Sequence, residues 1–205
     1  MNEIVFPAAI LQPPFFYAPS SEKPFGEPAL NFGAIGGVIS HEISHGYDDQ
    51  GRQYDSKGEI ADWWTAKDAE AFKIRAKMMI DQFNKHEVFG ENVNGELTQG
   101  ENIADLGGIT VSLVAFKKWI ASHPNFKGAK SEFTAIQNYF LAWAQVWRIH
   151  IREEAAKQLL VIDPHAPGRW RVDGILNNLP EFHEAFGIKA GDKMYLPHDE
   201  CVKIW

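Results

Sequence analysis

Apolar residues recur along this chain at the 3.6-residue period of a buried helix face. Ile35, Val38, Ile39 and Ile43 fall at that spacing and predict a helix capped by Asn31, running through "FGAIGGVISHEISH" and stopping at Gly46. Phe72, Ala76, Met79, Ile80 and Phe83 define one face of a second helix, opened by a capping box at Thr65 and Asp68 and ending near Asn84. Thr98 is placed to open a third through "QGENIADLGGITVSLVAFKKWI". A fourth spans roughly 131–148, with Phe133, Ile136, Phe140 and Trp147 inward. Pro180 and Gly187 bracket a short last helix, "EFHEAF".

Between these lie segments without helical period. Residues 1–30 are Pro- and Phe-rich, with "EIVF" as a candidate short strand. "YDDQGRQYDSKGEI" reads as turns with a small hairpin, "NVNGELTQG" as a loop, and "VIDPHAPGRWRVDG" as a loop stiffened by Pro164 and Pro167. The expected fold class is mainly α with small β (α+β), in one domain over 1–205, without repeats or linkers.

Composition narrows the function. Seven Trp and 14 Phe supply a large core, and a net charge of −7 opposes binding to nucleic acid phosphates. There is no polybasic cluster for an anionic membrane surface, and the longest apolar stretches are too short to span a bilayer. The N-terminus carries an acidic residue and a Pro where a signal peptide needs positive charge and an unbroken apolar run, so no export signal is expected here. Cys201 is the single cysteine, so no disulfide forms within the chain, and its position does not fit a prenylation box.

The chemistry concentrates in "HEISH". His41 and His45 are four apart, which on a helix separates them by about 40° and roughly 6 Å. Both imidazoles can reach one ion from a single face, and Glu42 is placed to act as general base for a water activated by that ion. A helix that merely carries two histidines is the competing reading. Asp48 and Gly51 stand where a metzincin would have its Gly and third His, which excludes that branch. What remains is a third ligand from another helix. In "GENIAD", Glu101 is the candidate, and Asp105, one turn on, is placed to accept the far N–H of a ligand histidine. Thr98 and Glu101 also form a capping-box pattern that needs no metal.

The third segment is "DPHAPGRWR". His165 can donate to developing oxyanion charge, Asp163 can orient it or simply cap a turn, and Arg171 or Arg169 can hold a substrate carbonyl. Histidines 86, 123, 150, 183 and 198 show no ligand spacing and read as surface or structural residues.

These segments together resemble the neprilysin and endothelin-converting-enzyme family of zinc metalloendopeptidases. The likeness runs from "IVFPAAILQPPFF" through "HEISHGYDD", "ADWWT", "GENIAD" and "LAWAQVW" to the terminal Trp. It implies a thermolysin-like zincin domain that hydrolyses oligopeptides on the amino side of hydrophobic residues. It implies one Zn2+ per chain on His41, His45 and Glu101, with Glu42 as base, Asp105 behind a ligand histidine, His165 as transition-state donor and Arg171, in preference to Arg169, on the substrate carbonyl. By the same likeness the chain is the C-terminal catalytic part of a longer peptidase, in an extracytoplasmic setting with a cytoplasmic one as the alternative. An upstream helical domain would then pack against it, and an Asn-Ala substrate-binding segment would precede Asn2. The alternative is a fragment that holds metal or peptide without catalysis. The family usually ends Cys-x-x-Trp, whereas three residues separate Cys201 from Trp205 here; in animal members that cysteine is bridged to an upstream one.

Overall fold

The computed structural model describes residues 2–20, 27–126 and 133–205. A helical run starts with α1 (Pro28–Asn31), passes through a π turn at Phe32–Gly36 and continues as α2 (Gly37–Ser44), which ends in a 3-10 turn at His45–Tyr47. Then follow α3 (Ala66–Phe83), a hairpin of β1 (Glu87–Val88) and β2 (Glu91–Asn92), α4 (Gly95–Ser122), α5 (Ala135–Val146), α6 (Glu153–Ile162), α7 (Gly168–Leu176) and α8 (Pro180–Phe186). The mainly helical expectation holds. Strands β1 and β2 pair antiparallel, Glu87 opposite Asn92 and Val88 opposite Glu91.

α4 is the central helix. α3 packs on it with the five residues its period predicted, Phe72, Ala76, Met79, Ile80 and Phe83. α5 adds Tyr139, whose hydroxyl donates to Ile109 O at 2.7 Å, and Trp143, whose indole N–H donates to Arg171 O at 2.9 Å. Both buried aromatics therefore have partners for their polar ends, and the second fixes the backbone of α7.

Several expectations are corrected. Asn31 does not cap the first helix, which begins at Pro28 because proline needs no N–H partner in the first turn. The Asn31 amide instead clasps the backbone N–H and C=O of Tyr17. α4 starts at Gly95, earlier than Thr98, because Asn94 accepts from Leu97 N. Thr98 lies inside the helix and donates to Asn94 O, so Thr98 and Glu101 are not a capping box. "EIVF" forms no strand, since Pro7 and a 3-10 turn follow it and no partner strand lies alongside among the described residues. The hairpin expected over 47–60 reduces to one bridge, Tyr54 to Ile60.

The fourth helix starts at Ala135 behind Thr134, its N-cap in a capping box with Gln137, and its inward side is Tyr139, Phe140, Ala142 and Trp143, while Phe133 is 39% exposed. The proposed start near 131 lies outside the described residues. "GRWRVDG" is helix, because Pro167 ends the loop and the helix begins directly after it.

The largest difference is in α2. Its buried residues are Gly37, His41 and Ser44, whereas Ile43 is 56% exposed. The histidine faces inward and the isoleucine faces out, the reverse of what hydrophobic period alone predicts.

Candidate metal centre

The inversion of α2 has a steric cause. A Cβ on Gly108 of α4 would lie 2.8 Å from both Gly37 O and His41 N, and one on Gly107 would lie 2.5 Å from Ser44 Oγ. Two adjacent residues without side chains let the backbones of α2 and α4 touch, which any larger residue would prevent. Asp105 and Glu101, one and two turns earlier on α4, thereby come against the histidine edge of α2.

The resulting geometry is tight. His41 Nε2 lies 3.2 Å from Glu101 Oε2, His45 Nε2 lies 3.6 Å from Glu101 Oε1, and the two Nε2 atoms are 3.0 Å apart. One donor atom from each of His41, His45 and Glu101 falls within 4.8 Å of the others. Behind His41, Nδ1 is 2.8 Å from Asp105 Oδ1, although its N–H is too oblique for a linear hydrogen bond. Behind His45, Nδ1 is 2.7 Å from Asp48 Oδ2, and the other oxygen of Asp48 accepts from Gln50 N and Gly51 N. The sequence reading missed Asp48. An acid three residues after a candidate ligand histidine is the signal the sequence offers for it.

The loop between α6 and α7 brings His165 to the same carboxylate, its Nε2 3.2 Å from Glu101 Oε2. Asp163 Oδ1 takes hydrogen bonds from both His165 N and its Nδ1. Arg171 is buried, with Nε and Nη2 each 2.7 Å from an oxygen of Asp105 and its guanidinium carbon 3.7 Å from the centre of the Trp147 ring. Arg169 points away to Asp173. Glu42 is exposed beside His41. His41, His45, Glu101, Asp105, His165 and Arg171 are thus linked by contacts of 3.8 Å or less, and Glu42 adjoins them in the chain.

The electrostatics identify a site short of positive charge. The hydrogen bond to Asp48, together with the nearby Glu101 carboxylate, raises the His45 pKa to about 10. Burial opposes protonation of His41, but Asp105 and Glu101 outweigh it and the net shift is upward. Burial likewise favours neutral Asp105, yet the Arg171 guanidinium holds it ionised. Glu101 also ends well below the usual carboxylate range, because His41 and His45 outweigh its burial.

A cation fits this arrangement. Carboxylates accept and never donate when ionised, so Asp105 and Asp48 keep hydrogens on the Nδ1 atoms of neutral His41 and His45. Their Nε2 lone pairs then face one another and a Glu101 oxygen that is buried without a hydrogen bond. Such a cluster is repulsive unless protons or a metal ion sit among the donors, and two imidazoles with one carboxylate suit zinc.

Comparison with known proteins agrees. The chain is 44% identical to human endothelin-converting enzyme 1 over all of its own length and 26% of that protein, and 42% identical to Caenorhabditis elegans neprilysin-1 over all of its length and 27% of that one. It therefore spans about a quarter of these relatives. The solved structure of a Mycobacterium tuberculosis zinc metalloprotease in complex with an inhibitor superposes with a TM-score of 0.92 at 40% identity, over all of this chain and 31% of that one. With the family model matching residues 1–202, the chain belongs to peptidase family M13.

Proposed function

We propose that this chain is the catalytic portion of a zinc metalloendopeptidase that cleaves oligopeptides on the amino side of hydrophobic residues. The observation that carries the reading is the convergence of His41, His45 and Glu101 within 4.8 Å, beside a solvent-open Glu42. Three protein donors leave a fourth position open, which is the arrangement of a catalytic rather than a structural zinc. When bound, zinc supplies Lewis acidity, making water nucleophilic near neutral pH and polarising a carbonyl oxygen.

The chain's own groups do the remaining work. The Glu42 carboxylate accepts the proton of the attacking water and returns it to the leaving amine nitrogen. His165 donates from Nε2 to the oxygen that gains charge; because Asp163 accepts from Nδ1, that donation uses the imidazolium form. Asp105 holds Arg171 by two of its nitrogens, leaving Nη1 as the end of the fork that can reach a substrate carbonyl. A cavity of about 570 Å³ opens beside His165 and Arg171, and its walls include Val146, Trp147, Ile149 and Leu160. That apolar space supports a hydrophobic residue next to the cut.

The exposed apolar pair on α2, Ile39 and Ile43, supports packing against a further part of a longer peptidase. An extracytoplasmic setting belongs to the same reading. Among the described residues no helix is long and apolar enough to cross a membrane. The rival, a fragment that binds metal or peptide without catalysis, has less support, because donors, base and substrate-side residues are all present.

The deciding experiment measures zinc content together with cleavage of a fluorogenic peptide bearing a hydrophobic residue after the cut. One zinc per chain with chelator-sensitive cleavage is expected. Absence of zinc after purification without chelators overturns the proposal.

A further inference from the structure

The cavity beside His165 and Arg171 is walled almost entirely by one continuous stretch, residues 146–171. Among the described residues, a single lining residue comes from elsewhere, Val88 of β1. Several separate contacts hold it there. Trp170 of α7 donates its indole N–H to Glu87 O at 3.1 Å, and the His86 ring stacks on Trp170 at 4.0 Å with 3° between planes. On the other side, Lys157 of α6 approaches Glu91 of β2 at 4.0 Å. The hairpin thus bridges the two helices that flank the cavity.

Its turn is also costly. Phe89 and Gly90 have φ of 51° and 78°, the doubly left-handed pattern that Asn-Gly serves best. A bulky residue such as Phe in that region is strained and persists only where surrounding contacts over-determine the backbone. Those contacts are the ones that seat Val88.

The geometry points to Val88 as the residue that limits the size of the side chain this cavity admits, with the hairpin as its specificity wall. The cavity, about 570 Å³, falls in the range that holds whole small ligands, roughly 300–1,000 Å³, so it suits a large aromatic residue better than a small aliphatic one. This inference rests on the peptidase reading. It adds a residue outside the segments that carry the metal donors, one that chooses among hydrophobic substrates.

The test is calorimetric titration of the zinc-loaded chain with two hydroxamate dipeptide analogues, differing only in a naphthylmethyl or a methyl side chain aimed at the cavity. The wild-type chain should prefer the naphthylmethyl compound by about tenfold or more, the scale of a hydrophobic pocket contact. Val88→Phe should remove that preference by weakening binding of the naphthylmethyl compound. Val88→Ala should widen it. An unchanged affinity ratio in Val88→Phe, with wild-type circular dichroism and zinc content, overturns the inference. Should Val88→Phe fail to fold, an unchanged ratio in Val88→Ala overturns it instead. Equal binding of both compounds by the wild-type chain defeats the Val88 assignment alone, whereas binding of neither defeats the peptidase reading and this inference with it.

Discussion

Arg171 and Asp105, 66 residues apart in sequence, form a two-pronged ion pair in the interior, both contacts at 2.7 Å, with Asp105 fully buried. The same carboxylate lies 2.8 Å from His41 Nδ1. One side chain therefore neutralises a buried guanidinium and orients a candidate metal ligand. Removing it breaks both.

Asp105→Ala should cost about 3–5 kcal/mol of stability, because the Arg171 charge is left buried and unpaired. Zinc affinity should fall about 10–100-fold through the loss of support for His41. Denaturant unfolding of the two proteins, with competitive zinc titration, checks both numbers. A destabilisation under 1 kcal/mol would show that Arg171 swings out to water and that the pair does not brace the site.

Glu42→Gln isolates the proposed base from the proposed ligands. The substitution keeps size and hydrogen bonding but cannot accept a proton. One zinc per chain should remain by elemental analysis, while turnover of the fluorogenic peptide drops about 10²–10⁴-fold. Wild-type turnover in this variant would assign the proton transfer elsewhere.

Gly108 sets the approach of α2 to α4. An added Cβ meets backbone atoms of Gly37 and His41 at 2.8 Å, and backbone cannot rotate aside as a side chain can. Gly108→Ala should therefore push the helices apart, costing about 1–3 kcal/mol and weakening zinc binding in parallel. Gly46→Ala is the control, since its Cβ would have nothing within 4 Å. Equal melting temperatures for the two variants would remove the close crossing as the cause of the inverted α2 face.

Local features of this fold are legible in the sequence, and features that depend on which backbone lies opposite are not. Thr65 caps α3, and Gly187, with φ of 66°, terminates α8, because each side chain or its absence acts within one turn. The face of α3 is legible for the same reason, since its apolar residues meet a broad hydrophobic neighbour. α2 misleads because glycines on α4, far along the chain, decide which side is buried. Glu101 was ambiguous until Asn94 proved to be the cap, and no local signal tells a capping box from a ligand turn. The cluster of His41, His45 and Glu101 was legible because two of its members lie four apart on one helix. The Arg171–Asp105 pair, spanning 66 residues, left no periodic trace.

His86 offers a pH test away from the candidate metal ligands. Burial against Trp170 and Phe83 lowers its pKa from 6.5 to about 4, Arg169 and Lys85 acting in the same direction and Asp173 against them. Between those two values the unfolded chain binds the proton and the folded chain does not, so stability rises with pH across that window. The contribution is complete above about pH 6.5 and is lost as the pH falls through about 4. His86→Phe keeps an aromatic surface for Trp170 and removes the titration. Melting temperatures of wild type and variant, measured from pH 4 to pH 8 at constant zinc, should run parallel above about 6.5. Below it the wild-type curve should fall away more steeply than that of the variant. Parallel curves throughout would mean that the His86 ring is already open to water in the folded protein, and that its stack on Trp170 does not hold the hairpin against α7.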